Sequence, residues 1–506
     1  MIKSIDNLLN RITMYRLVLY YLIFLLSAAV VLSLAGILKY DVFALLFSTG
    51  FLIVVCWGVN WIFFKTFDVA ANVESVYISA LILALIINPI NSFNDLWFLG
   101  WAAVLAMASK YIIAINRKHI FNPVALAVAI TYFTLNQSAS WWVGNASMLP
   151  FVLIGGILVV RKIGRFDLVL SFLSATIVTS ITISLFGGGD LIDPLQKIIL
   201  YSPVFFFAFL ILTEPLTTPP TRKTRIGYGV LAGFLFSPQI HFGSFFITPE
   251  VAILIGNVVS YIISPKTRAV LKLKEKVKIG SDTYDFIFPH NRNLAFVPGQ
   301  YMEWTLSHDR ADARGNRRYF TLASAPTEKT LRLGVKFSQK SSSFKKAMLA
   351  MNPGDEIVAG QVAGDFVLPK DPKQKCVLIA GGVGVTPFRS MIKYLIDTHQ
   401  SRPITLFYAN KTADDILYKD VFDRAQHELG IQIIYTVTEA NKLPSSWSGT
   451  VGRITPQLIK NKVPDFRSCN FYISGPRGMV DSFKELLERM NVPGSQIKSD
   501  FFSGLA

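Results

Sequence analysis

Residues 376–387 read CVLIAGGVGVTP, and this stretch decides the fold predicted for the second half of the chain. An apolar run, closely spaced glycines and a proline predict a buried β-strand, a tight turn and a helix that starts at Phe388. Glycines at such a turn let the backbone approach the pyrophosphate of a dinucleotide at the helix N-terminus. The candidate cofactor-binding residues of the turn are Gly381, Gly382, Gly384, Thr386 and Pro387.

Further strands and helices alternate after this turn. Residues 406–410 (LFYAN) read as a second strand, and residues 471–476 (FYISGP) read as a later strand that opens another helix. Strands that alternate with amphipathic helices are typical of a parallel sheet. We therefore predict an α/β parallel-sheet nucleotide-binding domain over residues 371–506, with Asn410 as a candidate cofactor contact.

Residues 268–370 contain short β-like runs, which predict a β-barrel domain. In the run RYFTLAS, Arg318 can pair with a diphosphate, Phe320 can lie beside a flavin ring, and the Thr321 hydroxyl can reach the flavin N5. Residues 341–346 (SSSFKK) form a Ser-rich turn that opens a helix and presents amides to phosphate, although the two lysines fit a solvated helix face equally well. The candidate cofactor-binding residues of this domain are Arg318, Tyr319, Phe320, Thr321, Val335, Lys336, Ser342 and Ser343.

The first 265 residues read as a polytopic α-helical membrane domain. The chain is 52% hydrophobic, and its apolar residues concentrate before about Pro265, in runs such as Leu17 to Leu38 that can cross ~30 Å of hydrocarbon. We expect about ten spans in the lipid bilayer of the cell membrane. Their predicted positions are near residues 16–38, 43–64, 73–89, 96–115, 121–136, 147–160, 167–186, 196–213, 227–241 and 247–264.

Basic residues predict the orientation of this domain. They cluster in alternate loops, and the loops between are almost free of Lys and Arg, apart from Lys39 and Lys197. Because basic residues prefer cytoplasmic loops, both termini are expected to face the cytoplasm. The first apolar run lacks a small-residue cleavage site and continues into further spans, so we interpret it as a transmembrane helix and not as a signal peptide.

Charge and cysteine content argue against other classes of protein. The formal net charge is +17, but many Lys and Arg residues lie in short loops between apolar runs, so nucleic acid is not expected as a partner. Cys56, Cys376 and Cys469 cannot supply four thiolates for an iron–sulfur cluster, and their spacing fits no zinc site. We expect them to be small buried apolar residues, and no metal site is predicted.

Two short strings mark predicted helix ends near the membrane surface. They are RKHIFNP, at residues 117–123, and TEPLT, at residues 213–217. Taken from the residues alone, the Asn-Pro pair at Asn122 and the Glu-Pro pair at Glu214 have two interpretations. They are either helix caps and kinks or helix ends that offer backbone and side-chain groups to a ligand.

In their order and spacing these strings resemble a known family. Together with the segment from Asp68 to Pro89 and the ten-span plan, they resemble the Nqr-B membrane component of the sodium-pumping NADH:quinone reductase and the Rnf-D membrane component of the Rnf complex, over about residues 15–265. Members of this family hold flavins in the helical bundle and move electrons through the membrane. The resemblance therefore implies that Asn122, Thr213 and Glu214 bind a cofactor here.

The resemblance has one departure. Related proteins carry FMN covalently on the last Thr of a Ser/Thr-Gly-Ala-Thr-like motif in a long insertion, whereas this chain runs almost directly from Thr134 to Pro150. The nearest string, Ser174-Ala175-Thr176, falls in the middle of a predicted helix and fits helix packing by small residues. We therefore expect any FMN or riboflavin in the membrane domain to be noncovalent.

The motifs of the second half resemble the ferredoxin:NADP reductase superfamily over about residues 268–506. This resemblance implies that FAD is bound by the Arg318 strand and the Ser342 turn, and that the turn from Gly381 to Thr386 holds the nicotinamide cofactor. It also implies that the nicotinamide site is lined by Gly475, Pro476 and Met479.

The same resemblance suggests three catalytic positions. Thr321 lies at the flavin, and Phe502 would cover the flavin face until the nicotinamide displaces it. Ser474 stands where many members have Cys near the nicotinamide, so the rate of hydride transfer is the property this departure affects. The candidate catalytic residues are Thr321, Ser474 and Phe502.

Together the two resemblances imply that hydride passes from NAD(P)H to FAD and that electrons then enter the membrane domain. The acceptor is left open as a quinone, an extracytoplasmic protein or a metal ion. Residues 411–415 (KTADD) lack the Ser/Arg set expected around a 2′-phosphate and carry two acids, so NADH is favoured over NADPH.

Two alternatives stay open at this point. A ferric-reductase-like protein needs paired axial histidines, and the first half offers His119 and His241, which the loop pattern puts on opposite sides of the membrane. The other alternative is a redox-driven pump for Na⁺ or H⁺, which would use charges at or near the predicted spans. These are Glu74, Lys110, Glu214 and Glu250.

Overall fold

The chain folds as two compact units, Met1–Ser264 and Pro265–Ala506. The computed structural model describes residues 5, 9, 12–67, 73–90, 92–93, 95–115, 118–243, 245–264, 268–289, 294–308, 312, 316–339, 341–439, 443 and 447–502. All three cysteines are buried free thiols, as predicted.

The first unit is mainly helical over its described residues. Its helices are α1 Met14–Leu34, α2 Val42–Phe67, α3 Val73–Ile86, α4 Asp95–Ile112, α5 Pro123–Leu135, α6 Leu149–Ile163, α7 Phe166–Phe186, α8 Ile192–Tyr201, α9 Val204–Phe206 with its π-helical continuation Phe207–Ile211, α10 Arg222–Phe236 and α11 Pro249–Ile263. Two short antiparallel hairpins pair β1 Ala114–Ile115 with β2 Lys118–His119, and β3 His241–Phe242 with β4 Phe245–Phe246.

The prediction of about ten spans is wrong as a count of full-length spans. Within the described residues three helices, α1, α2 and α7, are long and apolar enough to cross a membrane, and the pair α8 and α9, bent by 63°, would make a fourth. The other predicted segments do form helices, but these are only 13 to 18 residues long. Proline, glycine and polar residues end these helices early, so a run of apolar residues overestimates the length of the helix it forms.

Small residues bring α7 and α10 close together. A Cβ atom on Gly233 would clash with the Phe172 carbonyl oxygen and lie 2.9 Å from the Ala175 Cβ atom. The Thr176 hydroxyl donates a hydrogen bond to the Gly233 carbonyl at 3.1 Å. Residues 174–176 therefore lie within a helix, and Ala175 and Thr176 pack against α10 through small side chains, whereas Ser174 is exposed.

The second unit begins with two antiparallel sheets, where the sequence predicts a β-barrel. Their strands, in the order β10–β7–β6 and β5–β11–β8–β9, share an apolar core that includes Phe286, Met302 and Phe344. We call residues 268–363 the antiparallel region. Its elements are β5 Arg268–Lys272, β6 Glu275–Lys278, β7 Thr283–Pro289, β8 Tyr301–Thr305, β9 Arg317–Thr321, β10 Thr330–Lys336, α12 Ser343–Ala350 and β11 Glu356–Ala363.

Residues 376–502, the parallel-sheet region, form a six-stranded parallel sheet in the order β15–β14–β13–β12–β16–β17. The apolar strand β12 lies between β13 and β16, and separate apolar clusters cover the two faces of the sheet. The described elements are β12 Cys376–Gly381, α13 Thr386–Asp397, β13 Ile404–Asn410, α14 Lys419–Leu429, β14 Gln432–Val437, β15 Thr450–Val451, α15 Pro456–Lys462, β16 Asn470–Pro476, α16 Arg477–Arg489 and β17 Ile497–Phe502. A 3₁₀ turn, Gly382–Val385, joins β12 to α13.

This turn packs backbone against backbone, which gives a test of the fold. A Cβ atom on Gly384 would clash with the Ser474 carbonyl oxygen and lie 2.5 Å from the Gly475 Cα atom, and neither backbone atom can rotate away. Gly384→Ala should therefore destabilise the parallel-sheet region by about 1–3 kcal/mol. Thermal unfolding of the purified full chain would measure the loss.

Gly478→Ala is the matched control for this prediction. Gly478 lies in α16, and a Cβ atom there would meet nothing within 4 Å. Because alanine favours a helix more than glycine does, this variant should be as stable as the original chain or gain up to ~1 kcal/mol. Equal melting temperatures for the two variants would contradict the packing described here.

Candidate functional site

In the antiparallel region, Arg318 and the start of α12 converge on one carboxylate. The Arg318 side chain is mostly buried, and its Nη2 lies 3.3 Å from Asp312 Oδ1. The Ser343 amide donates a hydrogen bond to Asp312 Oδ2 at 3.1 Å, and the Ser343 hydroxyl accepts one from the Asp312 amide at 2.9 Å. A guanidinium and a helix N-terminus thus surround an anion, which in this structure is the Asp312 carboxylate. The same two groups can bind the diphosphate of a cofactor.

Strand β9 separates the predicted flavin residues onto two faces. Arg318 and Phe320 share the buried face, where both contact Phe344: the Phe320 and Phe344 ring centroids lie 6.0 Å apart, and Arg318 Cζ lies 5.3 Å from the Phe344 centroid. Tyr319 points to the opposite face, is 50% exposed, and donates a hydrogen bond to Glu303 Oε2 at 2.9 Å. The structure therefore does not bring the predicted contact Tyr319 to the side where Arg318 lies.

The neighbouring predicted residues adopt ordinary structural positions. Ser342 is the N-cap of α12, and its hydroxyl accepts a hydrogen bond from the Lys345 amide at 3.3 Å. Lys345 Nζ donates to the Lys336 carbonyl at 3.0 Å, so this lysine is directed towards β10. Val335 is buried in the apolar core of the antiparallel region.

In the parallel-sheet region, the predicted nucleotide turn is assembled at the carboxyl ends of β12 and β16. A Cβ atom on Gly381 would clash with the Met479 sulfur and lie 3.3 Å from Pro476 Cδ, so glycine permits this approach. Gly384 meets Gly475 in the same way. The five predicted residues Gly381, Gly384, Gly475, Pro476 and Met479 are therefore close neighbours at one edge of the sheet.

The other turn residues leave room beside the backbone. Gly382 has a φ of +53°, and a Cβ atom there would meet nothing within 4 Å. Thr386 opens α13, is buried, and donates a hydrogen bond to the Val383 carbonyl at 3.2 Å, and Pro387 occupies the first turn of that helix. An open backbone face at a helix N-terminus, at the carboxyl edge of a parallel sheet, is the geometry in which dinucleotides bind.

Two buried polar side chains next to this turn have unused hydrogen-bonding capacity. Ser474 is fully buried at the end of β16, and Asn410 is 7% exposed at the end of β13. Among the described residues, the Ser474 hydroxyl and both amide atoms of Asn410 have no hydrogen bond of normal length and angle. Because unpaired buried polar groups are costly, these atoms fit a site that a polar ligand completes.

The candidate catalytic residues are only partly visible. The Thr321 hydroxyl donates a hydrogen bond to Asp500 Oδ2 at 3.3 Å, which links β9 to β17. The backbone of Phe502 pairs with Pro476 in the sheet, and its side chain lies outside the described residues. Sequence reasoning missed Asp312 and Asp500, because neither belongs to a motif and each is recognised only by its partner in the fold.

An acidic residue beyond β13 remains ionised. Burial acts to raise the pKa of Asp415, but hydrogen bonds from the hydroxyls of Ser281 (2.6 Å) and Thr412 (3.1 Å) outweigh it and hold the pKa below its usual value. Its neighbour Asp414 is exposed to solvent. The Asp415 carboxylate therefore carries negative charge at neutral pH.

The first unit contains a cavity of about 80 Å³ whose mainly apolar lining includes several polar side chains. Asn122 Nδ2 donates a hydrogen bond to Glu214 Oε2 at 2.9 Å, and Thr213 lies beside them on the cavity wall. Lys110 also lines the cavity and donates to the Ser75 carbonyl and hydroxyl at 2.9 and 3.0 Å. The three predicted residues of this unit are thus brought together.

Asn122 also caps a helix, which agrees with the helix-cap interpretation of the Asn-Pro pair, and the ligand-binding interpretation stays a prediction. Its side-chain oxygen accepts a hydrogen bond from the Ala125 amide at 3.0 Å at the start of α5. Its backbone amide donates to Asn257 Oδ1 at 2.8 Å, and Asn257 in turn donates to the Tyr228 hydroxyl at 3.1 Å. The cap therefore fixes the side chain that faces Glu214.

Comparison with known families agrees with both halves of this description. Residues 138–270 match the NQR2, RnfD, RnfE family, and residues 378–485 match the oxidoreductase NAD-binding domain family. Both resemblances are confirmed. The second match agrees with the nucleotide-binding region that the glycine turn predicts.

Two similar proteins each match a little less than half of this chain. The flavohemoprotein of Oceanobacillus iheyensis is 26% identical over 244 residues, which are 46% of this chain and 59% of that protein. NADH-cytochrome b5 reductase 1 of Ajellomyces capsulatus is 27% identical over 243 residues, which are 45% of this chain and 76% of that protein. The chain thus spans less than two thirds of the flavohemoprotein.

Solved structures of similar fold include two reductases. The cytochrome P450 reductase GcoB of Amycolatopsis has 24% identity and a TM-score of 0.42, over 47% of this chain and 71% of that one. A ferredoxin NADP⁺ reductase from Neisseria gonorrhoeae, solved with FAD and NADP, has 19% identity and a TM-score of 0.40, over 47% of this chain and 99% of that one.

The arrangement around Asp312 gives opposite predictions for two substitutions. Arg318→Ala removes a charge-assisted partner of the diphosphate, so FAD should bind about 1.5–3 kcal/mol more weakly and be lost on purification. Asp312→Asn removes the internal anion that occupies the same groups, so FAD should be retained better than in the original chain. Flavin content per chain, measured by absorbance after gel filtration, checks both.

Arg317→Ala is the matched control for these variants. Arg317 is the neighbour of Arg318 in β9, and its Nη1 lies 3.8 Å from Glu303 Oε1, on the opposite side of the strand. This variant should keep its FAD. An Arg318→Ala chain that retained as much FAD as the Arg317→Ala chain would reject the diphosphate site.

Proposed function

We propose that the chain is a membrane-bound NADH oxidoreductase that takes hydride onto FAD in its second unit and delivers electrons to its first unit. The observation that carries the proposal is the convergence of the Arg318 guanidinium and the Ser343 amide on one carboxylate, in a unit that also has the glycine turn of a nicotinamide-binding domain. The Arg318 guanidinium and the Ser343 amide fit a flavin diphosphate, and the glycine turn fits a nicotinamide dinucleotide. Flavohemoproteins and NADH-cytochrome b5 reductases, which share this part of the chain, support the pairing of the two cofactors.

The residues have distinct tasks in this proposal. Arg318 and the α12 amides hold the diphosphate, and the Gly382–Val385 turn takes the pyrophosphate of the nicotinamide cofactor. The buried hydroxyls of Thr321 and Ser474 orient the two rings. When bound, FAD supplies a group that accepts two electrons together and releases them singly.

The preference for NADH rests on charge. Asp414 and Asp415 follow the end of β13, where the adenosine ribose of a dinucleotide lies in this type of sheet. Two carboxylates repel the 2′-phosphate of NADPH and accept hydrogen bonds from the 2′-hydroxyl of NADH. NADPH is the weaker alternative substrate in this account.

In this proposal electrons then continue into the membrane, because residues 138–270 match the NQR2, RnfD, RnfE family and the resemblance to that family implies electron transfer through the membrane. Apolar side chains offer no redox station across ~30 Å of hydrocarbon, so a second cofactor is needed. We propose that FMN or riboflavin binds noncovalently beside Asn122, Thr213 and Glu214, with a quinone as the terminal acceptor. In this account the first unit crosses the cell membrane several times, and both termini are cytoplasmic, as the basic loops indicate.

Flavin stoichiometry tests this proposal. The purified full chain should release more than one flavin per chain when it is denatured, and its band on a denaturing gel should not fluoresce. Asn122→Ala removes the side chain that faces Glu214 and should lower only the flavin that is not FAD, whereas Arg318→Ala should lower only FAD. Chromatography of the released flavins separates the two kinds.

Two results would contradict the stoichiometry. A fluorescent band would show covalent attachment, and one FAD per chain with no second flavin would remove the proposed station in the first unit. A chain whose flavin stays oxidised under NADH would reject the hydride step itself.

A redox-driven ion pump is the second candidate function. It is favoured by the buried carboxyl group of Glu250, which is 1% exposed and accepts a hydrogen bond from Trp141 Nε1 at 3.1 Å in the same helical unit. If the chain pumps, NADH oxidation in sealed vesicles should move Na⁺ or H⁺, and Glu250→Gln should abolish ion movement while electron transfer continues. Equal ion movement by the original chain and the Glu250→Gln variant would exclude Glu250 from the ion path.

A further inference from the structure

Four buried or partly buried side chains connect the antiparallel region to the parallel-sheet region. They are Asp285 on β7, Glu328 between β9 and β10, Arg389 on α13 and Tyr418 just before α14. We call this set the joint. The Tyr418 hydroxyl donates a hydrogen bond to Asp285 Oδ1 at 3.3 Å, and Arg389 Cζ lies 5.2 Å from the centroid of the Tyr418 ring.

Arg389 ties the joint to the strand that carries the flavin residues. It is 2% exposed and forms a bidentate pair with Glu328, at 2.6 and 2.9 Å. Its Nη1 also donates a hydrogen bond to the Ala323 carbonyl at 2.8 Å, and the next residue, Ser390, donates to the Ser324 carbonyl at 2.6 Å. Ala323 is only two residues beyond the end of β9, so α13 is fastened directly to this strand.

The nucleotide turn adjoins the same N-terminal end of α13. Thr386 opens the helix one turn before Arg389, and β10 packs against it at Gly334. A Cβ atom on Gly334 would lie 2.7 Å from the Tyr418 hydroxyl and 2.8 Å from Thr386 Cγ2. The joint therefore holds the nucleotide turn at a fixed distance from β9 and β10.

Tyr418 has an unusual backbone conformation. Its φ of +55° lies in the left-handed region, which a bulky side chain rarely adopts. Such a conformation persists when the surroundings impose it, and it is found preferentially at functional sites. Asp285, which accepts the Tyr418 hydrogen bond, is also held by Arg332 Nε at 3.3 Å. Burial raises the pKa of Asp285 to about 6, so it is an anion at neutral pH and can accept the Tyr418 hydrogen bond.

A buried ion network of this kind is a poor device for stability alone, because apolar replacements often stabilise a protein as well. Such a network does fix the orientation of the two regions that it joins. Hydride transfer requires the reacting atoms to lie about 3–3.5 Å apart, and a displacement of about 1 Å is costly. In the proposed reaction a hydride, two electrons and one proton, leaves C4 of the dihydronicotinamide for N5 of the flavin, so that the nicotinamide is oxidised and the flavin is reduced.

We propose that the joint sets the approach of the nicotinamide to the flavin, with Tyr418 and Arg389 as positioning residues. This inference rests on the proposed NADH-to-FAD function. In this account Tyr418 and Arg389 contact neither cofactor and act by fixing the distance between β9 and the nucleotide turn.

Tyr418→Phe in the full chain tests the proposal. Under anaerobic rapid mixing with NADH, flavin reduction at saturating NADH should be about tenfold slower, because the lost hydrogen bond loosens the approach of the two rings. FAD content and the dissociation constant for NADH should stay within about twofold of the original values. A purely structural role would lower the melting temperature without changing the rate at saturation.

Tyr435→Phe is the matched control. The Tyr435 hydroxyl donates a hydrogen bond to Asp423 Oδ1 at 2.8 Å, and both residues belong to the parallel-sheet region. This variant loses a tyrosine–aspartate bond that does not cross the joint, so its flavin should be reduced at the original rate.

Asp285→Asn provides a second variant if Tyr418→Phe fails to fold. It replaces the anionic acceptor of the Tyr418 hydrogen bond with a neutral one and also weakens the ion pair with Arg332, so it should slow reduction as well. The double variant should be slowed by less than the product of the two single effects, because both changes act on the Tyr418 contact. Rates equal to that of the Tyr435→Phe chain in both single variants would overturn the proposal. An original chain that NADH cannot reduce would instead reject the proposed function, and the inference with it.

Discussion

The close approach of two strand ends, β12 and β16, is the constraint on which the second unit depends. At Gly384 the backbone of one strand end meets the backbone of the other with no room for a methyl group. This contact brings Gly475, Pro476 and Met479 to the turn between β12 and α13. At Gly382 the backbone of the same turn is open, because a Cβ atom there would meet nothing within 4 Å. The glycines of this turn therefore both allow the two strand ends to pack and form the edge where a dinucleotide can bind.

Each candidate site in the molecule contains charged side chains that are buried or partly buried. Arg318 meets Asp312, and Arg389 meets Glu328, although the free energy of burying such charges is unfavourable. In the first unit, Lys110 and Glu214 line one cavity. A protein selected for stability alone would replace such groups with apolar ones. Their presence fits a chain that must hold anionic cofactors and keep two of them in register.

Local patterns were enough to predict part of this structure. The glycine turn after β12 is encoded within twelve residues, and the strand–helix alternation around it follows from hydrophobic periodicity. The contact between Tyr418 and Asp285 joins residues 133 positions apart, so no local pattern could reveal it. Asp312 lies only six positions before Arg318, but it belongs to no motif that would mark it as a binding residue. The spans were overcounted because hydropathy reports apolar composition, whereas proline and polar residues decide where each helix ends.

The central claim is that electrons from NADH leave FAD for a second station in the membrane unit. Anaerobic titration of the purified full chain with NADH, followed by absorbance, counts the electrons that the chain accepts. The account predicts that NADH oxidation continues beyond one equivalent per bound FAD, because a single FAD holds only two electrons. An end point at one NADH per FAD would contradict it and would leave the first unit without a redox role.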